Sequence, residues 1–302
     1  MTLRVRLAGY QGEASVHTRA MHELAGRLSD AGFDVVFTPD ITLDGNRAAD
    51  LLSLTEDGDL EICYFSASYL ADRVPEIRCL DTPFLFQDRA SAHLALDGDL
   101  CATIETKLED KSDFHVLGWW DNGFRHFTSG ARAIRSPADC IGQRLRTMGA
   151  APQHEKLFAT IGFTPVPLDV RELVPAIAES RVDAQENPLT NIWNFGLQNY
   201  HQWITLSGHL FGASCLLCNK HFFSGLPEDV RHEVVKAAAA ATTLQRELAA
   251  ADDIEIAEKL AAADVELIEL SPSERDEFVA RVRPLVLKTT ASFPKVAEWL
   301  RI

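Results

Sequence analysis

The chain has 302 residues, enough for two domains with cores of their own, and its 29 Lys and Arg against 44 Asp and Glu leave a formal charge of −15. A charge of that sign excludes binding to a nucleic-acid backbone or docking on an anionic membrane, since both draw on cationic side chains. With 46% apolar and 24% charged residues, and no apolar run near the ~18 that a spanning helix needs, the composition also excludes a disordered chain and a transmembrane one.

Residues 3–8 alternate as a strand, and Gly9-Tyr10-Gln11-Gly12 turns the chain. The same alternation leaves no apolar signal core at the start, so the expectation is either a cytoplasmic protein or an exported one whose signal peptide has been replaced by Met1. Val16, Ala20, Leu24 and Leu28 recur every four residues and predict an amphipathic helix, stopped by Gly32. Residues 33–38 follow as a strand, 46–54 as a helix and 60–65 as a third strand. Buried strands separated by helices predict a parallel α/β sheet, whose ligands sit beyond the carboxyl ends of the strands. That singles out the loops at residues 10–13 and 65–69.

Gly118-Trp119-Trp120-Asp121-Asn122-Gly123 reads as a turn and a change of domain, with one tryptophan ring packed in a core and Trp119 a candidate wall of a ligand site. Strands are predicted at 124–128 and 143–148, on either side of a short helix opened by Ser136-Pro137-Ala138-Asp139. Alternation sends Arg144 and Arg146 to one strand face and Leu145 to the other; a guanidinium fork there suits a carboxylate, while a solvated face is the plainer reading. Asp169-Val170-Arg171-Glu172 caps a helix to about residue 179, and 182–188 form a short strand and turn. Residues 227–263 are periodic throughout, roughly 55 Å of helix, which predicts a strut running across both domains. Ser271-Pro272-Ser273-Glu274 caps a last helix towards residue 287.

Phosphate-loop, dinucleotide, zincin and nucleophile-elbow motifs are absent from the sequence. Cys215 and Cys218, near His209 and His221, have zinc-like spacing, but 211–219 reads as a strand on which residues three apart face opposite ways. The six cysteines are therefore expected to be mostly buried thiols, with neither metal nor cofactor.

Taken in order, the pieces resemble the solute-binding subunit of tripartite ATP-independent periplasmic (TRAP) transporters, of the dicarboxylate-binding (DctP) type. The resembling stretches are Thr82-Pro83-Phe84-Leu85-Phe86, Gly123-Phe124-Arg125-His126-Phe127-Thr128, residues 136–146, residues 182–188, His209 and residues 226–230. The resemblance implies a two-lobed periplasmic-binding-protein-like α/β fold with crossing strands and a long helix spanning both lobes. Lobe 1 is expected at 1–122 plus about 211–250, and lobe 2 at 123–210 plus about 251–302. It further implies a periplasmic, non-catalytic receptor that binds a small organic acid (a sugar acid, hydroxy acid or aromatic acid) between its lobes and delivers it to membrane permease subunits.

Carried onto this sequence, the family's carboxylate-pairing arginine is Arg146, its second arginine Arg125 and its asparagine Asn187. Many relatives carry Gly where this chain has Ser180 and Ala184, and the loop 9–13 is no close match. Gln11, Phe65, Ser66, Tyr69, Trp119, Met148, Leu168, Trp193 and Phe211, at strand ends or in loops, complete the candidate ligand contacts. Two other functions fit the residues: a two-domain enzyme acting on a carboxylate with His126 or His209 as base, and a ligand sensor of the same fold.

Overall fold

The computed structural model describes residues 3–149 and 151–293. In chain order the elements are β1 (Arg4–Ala8), α1 (Val16–Asp30), β2 (Asp34–Thr38), α2 (Asp50–Glu56), β3 (Ile62–Ser66), α3 (Arg89–Leu96), α4 (Asp99–Lys111) and β4 (Phe114–Ser129). They continue as α5 (Pro137–Cys140), β5 (Arg144–Met148), α6 (Pro152–Ile161), β6 (Thr164–Leu168), α7 (Val170–Ala178), β7 (Ala184–Pro188), α8 (Leu189–Asn194) and β8 (Trp203–Asn219). Last come α9 (Lys220–Gly225), α10 (Glu228–Ala261), β9 (Glu266–Glu269) and α11 (Pro272–Ser292).

Two compact units divide the chain: Met1–Ile77, His93–Asn122 and Ala213–Ala251 form unit 1, and Arg78–Ala92, Gly123–Gly212 and Asp252–Ile302 form unit 2. Both β4 and β8 run from one unit into the other, and α10 does so between Ala251 and Asp252. The segment 78–92 falls in unit 2, not in the first lobe where its chain position suggested. Its contacts give the reason: the Phe84 amide donates to the His209 carbonyl at 2.9 Å, and Arg89 pairs with Asp253.

Unit 1 has parallel β2, β1 and β3, with β8 antiparallel on β3. The α1 residues predicted to face inwards, Val16, Ala20, Leu24 and Leu28, are buried, and the Ser15 hydroxyl caps the helix at the His17 amide. Most of them join Val5, Leu7, Ile62, Tyr64, Trp120 and the alanines of α10 in one core.

Unit 2 pairs β5 with β6 and with β7 in parallel, β4 with β7 antiparallel, and β9 with β8. One core gathers Phe127, Leu145, Phe158 and Phe278; a second gathers Leu173, Ile192, Ile256 and Leu260. Capping boxes fix the starts of α5 (Ser136 with Asp139) and α11 (Ser271 with Glu274), as their sequences predict.

Two local expectations fail. The helix expected at 46–54 starts only at Asp50, because the Asp50 carboxylate holds the Arg47 amide at 2.8 Å and keeps 46–49 in a turn. The turn expected at 118–123 is the middle of β4. There the buried Gln245 side chain of α10 accepts from the Asp121 amide at 2.8 Å and donates to the Asp121 carbonyl at 2.6 Å. With its polar backbone satisfied by a side chain, the segment stays extended and buried despite turn-forming residues.

Ser180 follows α7 with φ of 53°, a left-handed conformation that glycine adopts more easily. Its carbonyl accepts from Arg144, so the turn is held in place. Ser180→Gly is expected to raise stability by about 0.5–1 kcal/mol, read as a melting-temperature gain of a few degrees.

Candidate functional site

At the carboxyl edge of unit 2, parallel pairing sets Met148 beside Leu168 and Arg146 beside Val166 and Gln185. Because β4 runs antiparallel to β7, Arg125 near the unit 2 end of β4 lies opposite Pro188, and His126 opposite Asn187. One strand edge thus carries Arg146, Met148, Leu168, Asn187 and Arg125.

Arg144 and Arg146 share a strand face but not an environment. Arg144, at the start of β5, is half-exposed and forks onto Asp183 at 2.7 and 2.9 Å. Arg146, two residues nearer the carboxyl edge, is buried and donates from Nε and Nη2 to the Leu168 carbonyl at 3.1 and 2.9 Å. The carbonyl oxygen fixes the orientation of the guanidinium.

Arg125 is bound differently. It donates to both carboxylate oxygens of Glu186, one of them at 2.7 Å, and to the Glu186 carbonyl at 2.9 Å. Burial alone raises the Glu186 carboxyl; the Arg125 charge, with hydrogen bonds from His209 and Arg125, outweighs it and holds the acid well below the usual carboxylate range. His209 reaches Glu186 at 3.4 Å, hydrogen-bonds Ser207 through Nδ1 and stacks on Phe127 at 4.1 Å. The Arg125 charge is therefore met inside the unit, and its outward contact is to the Asn187 Oδ1 at 3.5 Å. Asn187 is further fixed by Gln185 at 2.5 Å and Asn191 at 3.4 Å.

The other unit 2 candidates separate. Phe211 packs edge-on against Phe124 and Phe86, next in chain to Arg125. Trp193, on α8, instead packs against the Leu173–Ile256 core with Lys259 over its ring.

In unit 1 the parallel ends of β1 and β3 gather four candidates around Tyr10. The Gln11 amide meets the Tyr10 hydroxyl at 3.5 Å and accepts from Ser15 at 2.8 Å. The Tyr10 ring lies 4.9 Å from Phe65, which meets Tyr69 edge-on at 4.8 Å, and Ser66 ends the strand opposite Ser214. Trp119 stands elsewhere, its indole donating to Glu105 and its carbonyl accepting from Arg246. Both rings of the tryptophan pair are buried.

Among the described residues no three His, Cys, Asp or Glu are grouped to hold a metal ion. Cys215 and Cys218 are free and buried, and burial pushes both thiols far up, which suits core residues rather than thiolate ligands. The two histidines weighed as bases are packed rings. Burial, reinforced by His209, Arg89 and Arg125, lowers His126 to about 3, and its Nδ1 accepts from the Gly208 amide at 3.1 Å. Burial lowers His209 despite the adjacent Glu186. Proton transfer at neutral pH is served by pKa values near 7.

Sequence reasoning reached Tyr10 only as part of the loop 10–13 and gave no role to Glu186, Gln185 or Asn191. Glu186 was legible in principle: a carboxylate in a fully buried strand requires a cation, and the neighbouring strand carries Arg125.

Residues 16–292 match the model of the DctP family, described as bacterial extracellular solute-binding protein, family 7. A "Solute-binding protein" of Verminephrobacter eiseniae (strain EF01-2) is 32% identical over 80% of this chain and 70% of its own length. The 2,3-diketo-L-gulonate-binding periplasmic protein YiaO of Escherichia coli (strain K12) is 31% identical over 76% of this chain and 69% of its own. Among solved structures, the sugar acid binding protein DctPAm of Advenella mimigardefordensis in complex with galactonate superposes with a TM-score of 0.93, at 27% identity, covering 99% of this chain and 96% of that one.

Glu186→Gln leaves Arg125 buried without its counter-charge and is expected to cost about 3–5 kcal/mol in denaturant unfolding, whereas Arg144→Gln on the half-exposed, solvent-screened pair is expected to leave the unfolding midpoint nearly unchanged. Acid acts through other groups first. Burial lowers His17 and His201 to about 4, and His126 to about 3, against about 6.5 in the unfolded chain. As pH falls below 6.5 the unfolded chain takes up protons that the native chain refuses, so stability is full above that pH and declines steadily towards pH 4. The melting temperature is expected to drop steeply between pH 6.5 and 4.5, and His17→Phe, which keeps a ring against Tyr64, to flatten that slope.

Proposed function

We propose that this chain, which belongs to the DctP family of bacterial extracellular solute-binding proteins, family 7, is a periplasmic receptor that binds a small organic acid and delivers it to the membrane permease of a TRAP transporter. The role is capture and presentation, without turnover of the ligand. Sugar acids are the favoured class: the Escherichia coli relative at 31% identity is named for 2,3-diketo-L-gulonate and the Advenella structure at 27% holds galactonate, while relatives named for C4-dicarboxylates stand at 26 and 28%.

The observation that carries this reading is the placement of Arg146. Its buried guanidinium is oriented by a carbonyl at the edge where the parallel strands end, beside Met148, Leu168 and the braced amide of Asn187. A planar fork in that setting matches the two oxygens of a carboxylate. In our reading Arg146 takes the carboxylate, Asn187 meets an adjacent hydroxyl, and Arg125 positions Asn187 while its own charge is held by Glu186.

Thermal unfolding with D-galactonate, L-gulonate, 2,3-diketo-L-gulonate and succinate tests the proposal. A ligand at 100 times its Kd adds about 2.7 kcal/mol, a melting shift of several degrees. A sugar acid is expected to give that shift with the wild type, to be recovered chemically unchanged, and to give none with Arg146→Ala. A shift that survives Arg146→Ala, or no shift from any acid, overturns the site assignment. Conversion of the acid overturns the receptor reading.

A further inference from the structure

Beside α11, unit 2 carries two cavities of about 370 and 410 Å³ that share Thr82, Pro83 and Val286 and so adjoin as one groove. Its lining holds five cationic side chains, Arg78, Lys156, Arg275, Arg283 and Lys288, and one carboxylate, Asp81. In a chain of net charge −15 that is a local reversal of sign. Asp81 lies 3.3 Å from His154 and accepts from Gln153. Arg275 donates to the Ser207 carbonyl and lies over the Phe84 ring, both neutral partners. Lys156, Arg283 and Lys288 are exposed along the rim, and the floor between the cations is apolar: Pro83, Val282, Leu285 and Val286.

We propose that this groove docks an extended acidic peptide segment of a partner protein, with alternate carboxylates on the rim cations and apolar side chains on the floor. The shape favours a strand-like occupant. From Val279 to Phe293 the helix wall is about 21 Å long, the length of roughly six extended residues. An extended peptide points successive side chains to opposite sides, so one face can be apolar and the other acidic. Two features argue against a small anion. The cations are spread along the groove, and Arg78, Lys156 and Lys288 line one cavity while Arg275 and Arg283 line the other. An anionic membrane is disfavoured because the remaining surface is strongly acidic and repelled by it.

The probe is a fluorescein-labelled heptapeptide of alternating Asp and Leu, read by anisotropy at low salt. Saturable binding is expected, weakened tenfold or more by the combined substitution Lys156→Glu, Arg283→Glu and Lys288→Glu, and weakened progressively by salt. These side chains are exposed, and an unchanged melting curve for the substituted protein checks its fold. Any melting shift given by a sugar acid is expected to persist in the substituted protein, which separates failure of this proposal from failure of the carboxylate site. The proposal is overturned by absence of saturable binding, by equal binding of an alternating Lys and Leu peptide, or by binding that the triple substitution leaves unchanged. Displacement by a few millimolar sulfate, which marks a small-anion site, also overturns it. So does capture by phosphatidylglycerol vesicles, or a self-association in sedimentation that the substitution abolishes.

Discussion

Unit 2 is organised around the buried ion pair of Arg125 and Glu186. Moving two charges from water into a protein interior costs several kcal/mol per ion, and only close geometry with further hydrogen bonds offsets it. Those bonds come from three strands. Arg125 on β4 forks onto the Glu186 carboxylate and also holds the Glu186 carbonyl, while His209 on β8 approaches the same carboxylate. A slip of one residue between β4 and β7 turns Arg125 to the opposite face and leaves both charges buried and apart. The pair therefore specifies register as much as it stabilises. Asn187, the next residue of β7, is delivered to the strand edge as a consequence, its amide braced from both sides.

Unit 1 depends on a neutral device of the same kind. Gln245 of α10 supplies to Asp121 the donor and acceptor that a neighbouring strand supplies elsewhere, and Trp120 donates its indole proton to Thr242 one helical turn away. These contacts fasten α10 to the middle of β4, where Gly118, Asp121, Asn122 and Gly123 weaken any intrinsic preference for a strand. Thr242 lies so close to Gly118 that a Cβ there falls 2.5 Å from its hydroxyl, so the glycine is needed for close approach rather than for a turn.

The features legible in the sequence are those encoded locally. The four-residue spacing of α1, the capping boxes of α5 and α11 and the uninterrupted length of α10 each state an element from its own contiguous residues. The alternation around Leu145 gives β5 and the shared face of its two arginines. What escaped is set by partners distant in sequence. Gln245 decides the conformation at Asp121, and the Phe84 amide and Arg89 carry 78–92 into unit 2 through His209 and Asp253. Glu186 decides whether Arg125 presents a charge or consumes it. Of the candidate contacts, those at the ends of parallel strands come together, because strand ends follow from the fold class. Trp119 and Trp193 were read as lying at strand ends or in loops; Trp119 is held by Glu105 and Arg246, and Trp193 by the Leu173–Ile256 core.

Net charge and ligand charge need not agree in sign, and the distances explain why. The net charge of −15, distributed over the chain, acts on an anion mostly from beyond ~8 Å, where physiological salt screens it. A single guanidinium at about 4 Å from a carboxylate contributes on the order of 4 kcal/mol in a partly buried setting. Repulsion from the chain as a whole then lowers the rate of encounter more than it lowers affinity at the arginine. The same reasoning bears on how the cations are distributed. Arg144 and Arg125 are matched by Asp183 and Glu186, and Arg246 by Asp97, so their charges hold structure together. The cations rimming the α11 groove gather positive charge against the chain's own average. In an acidic protein such places locate anion recognition better than any count of basic residues.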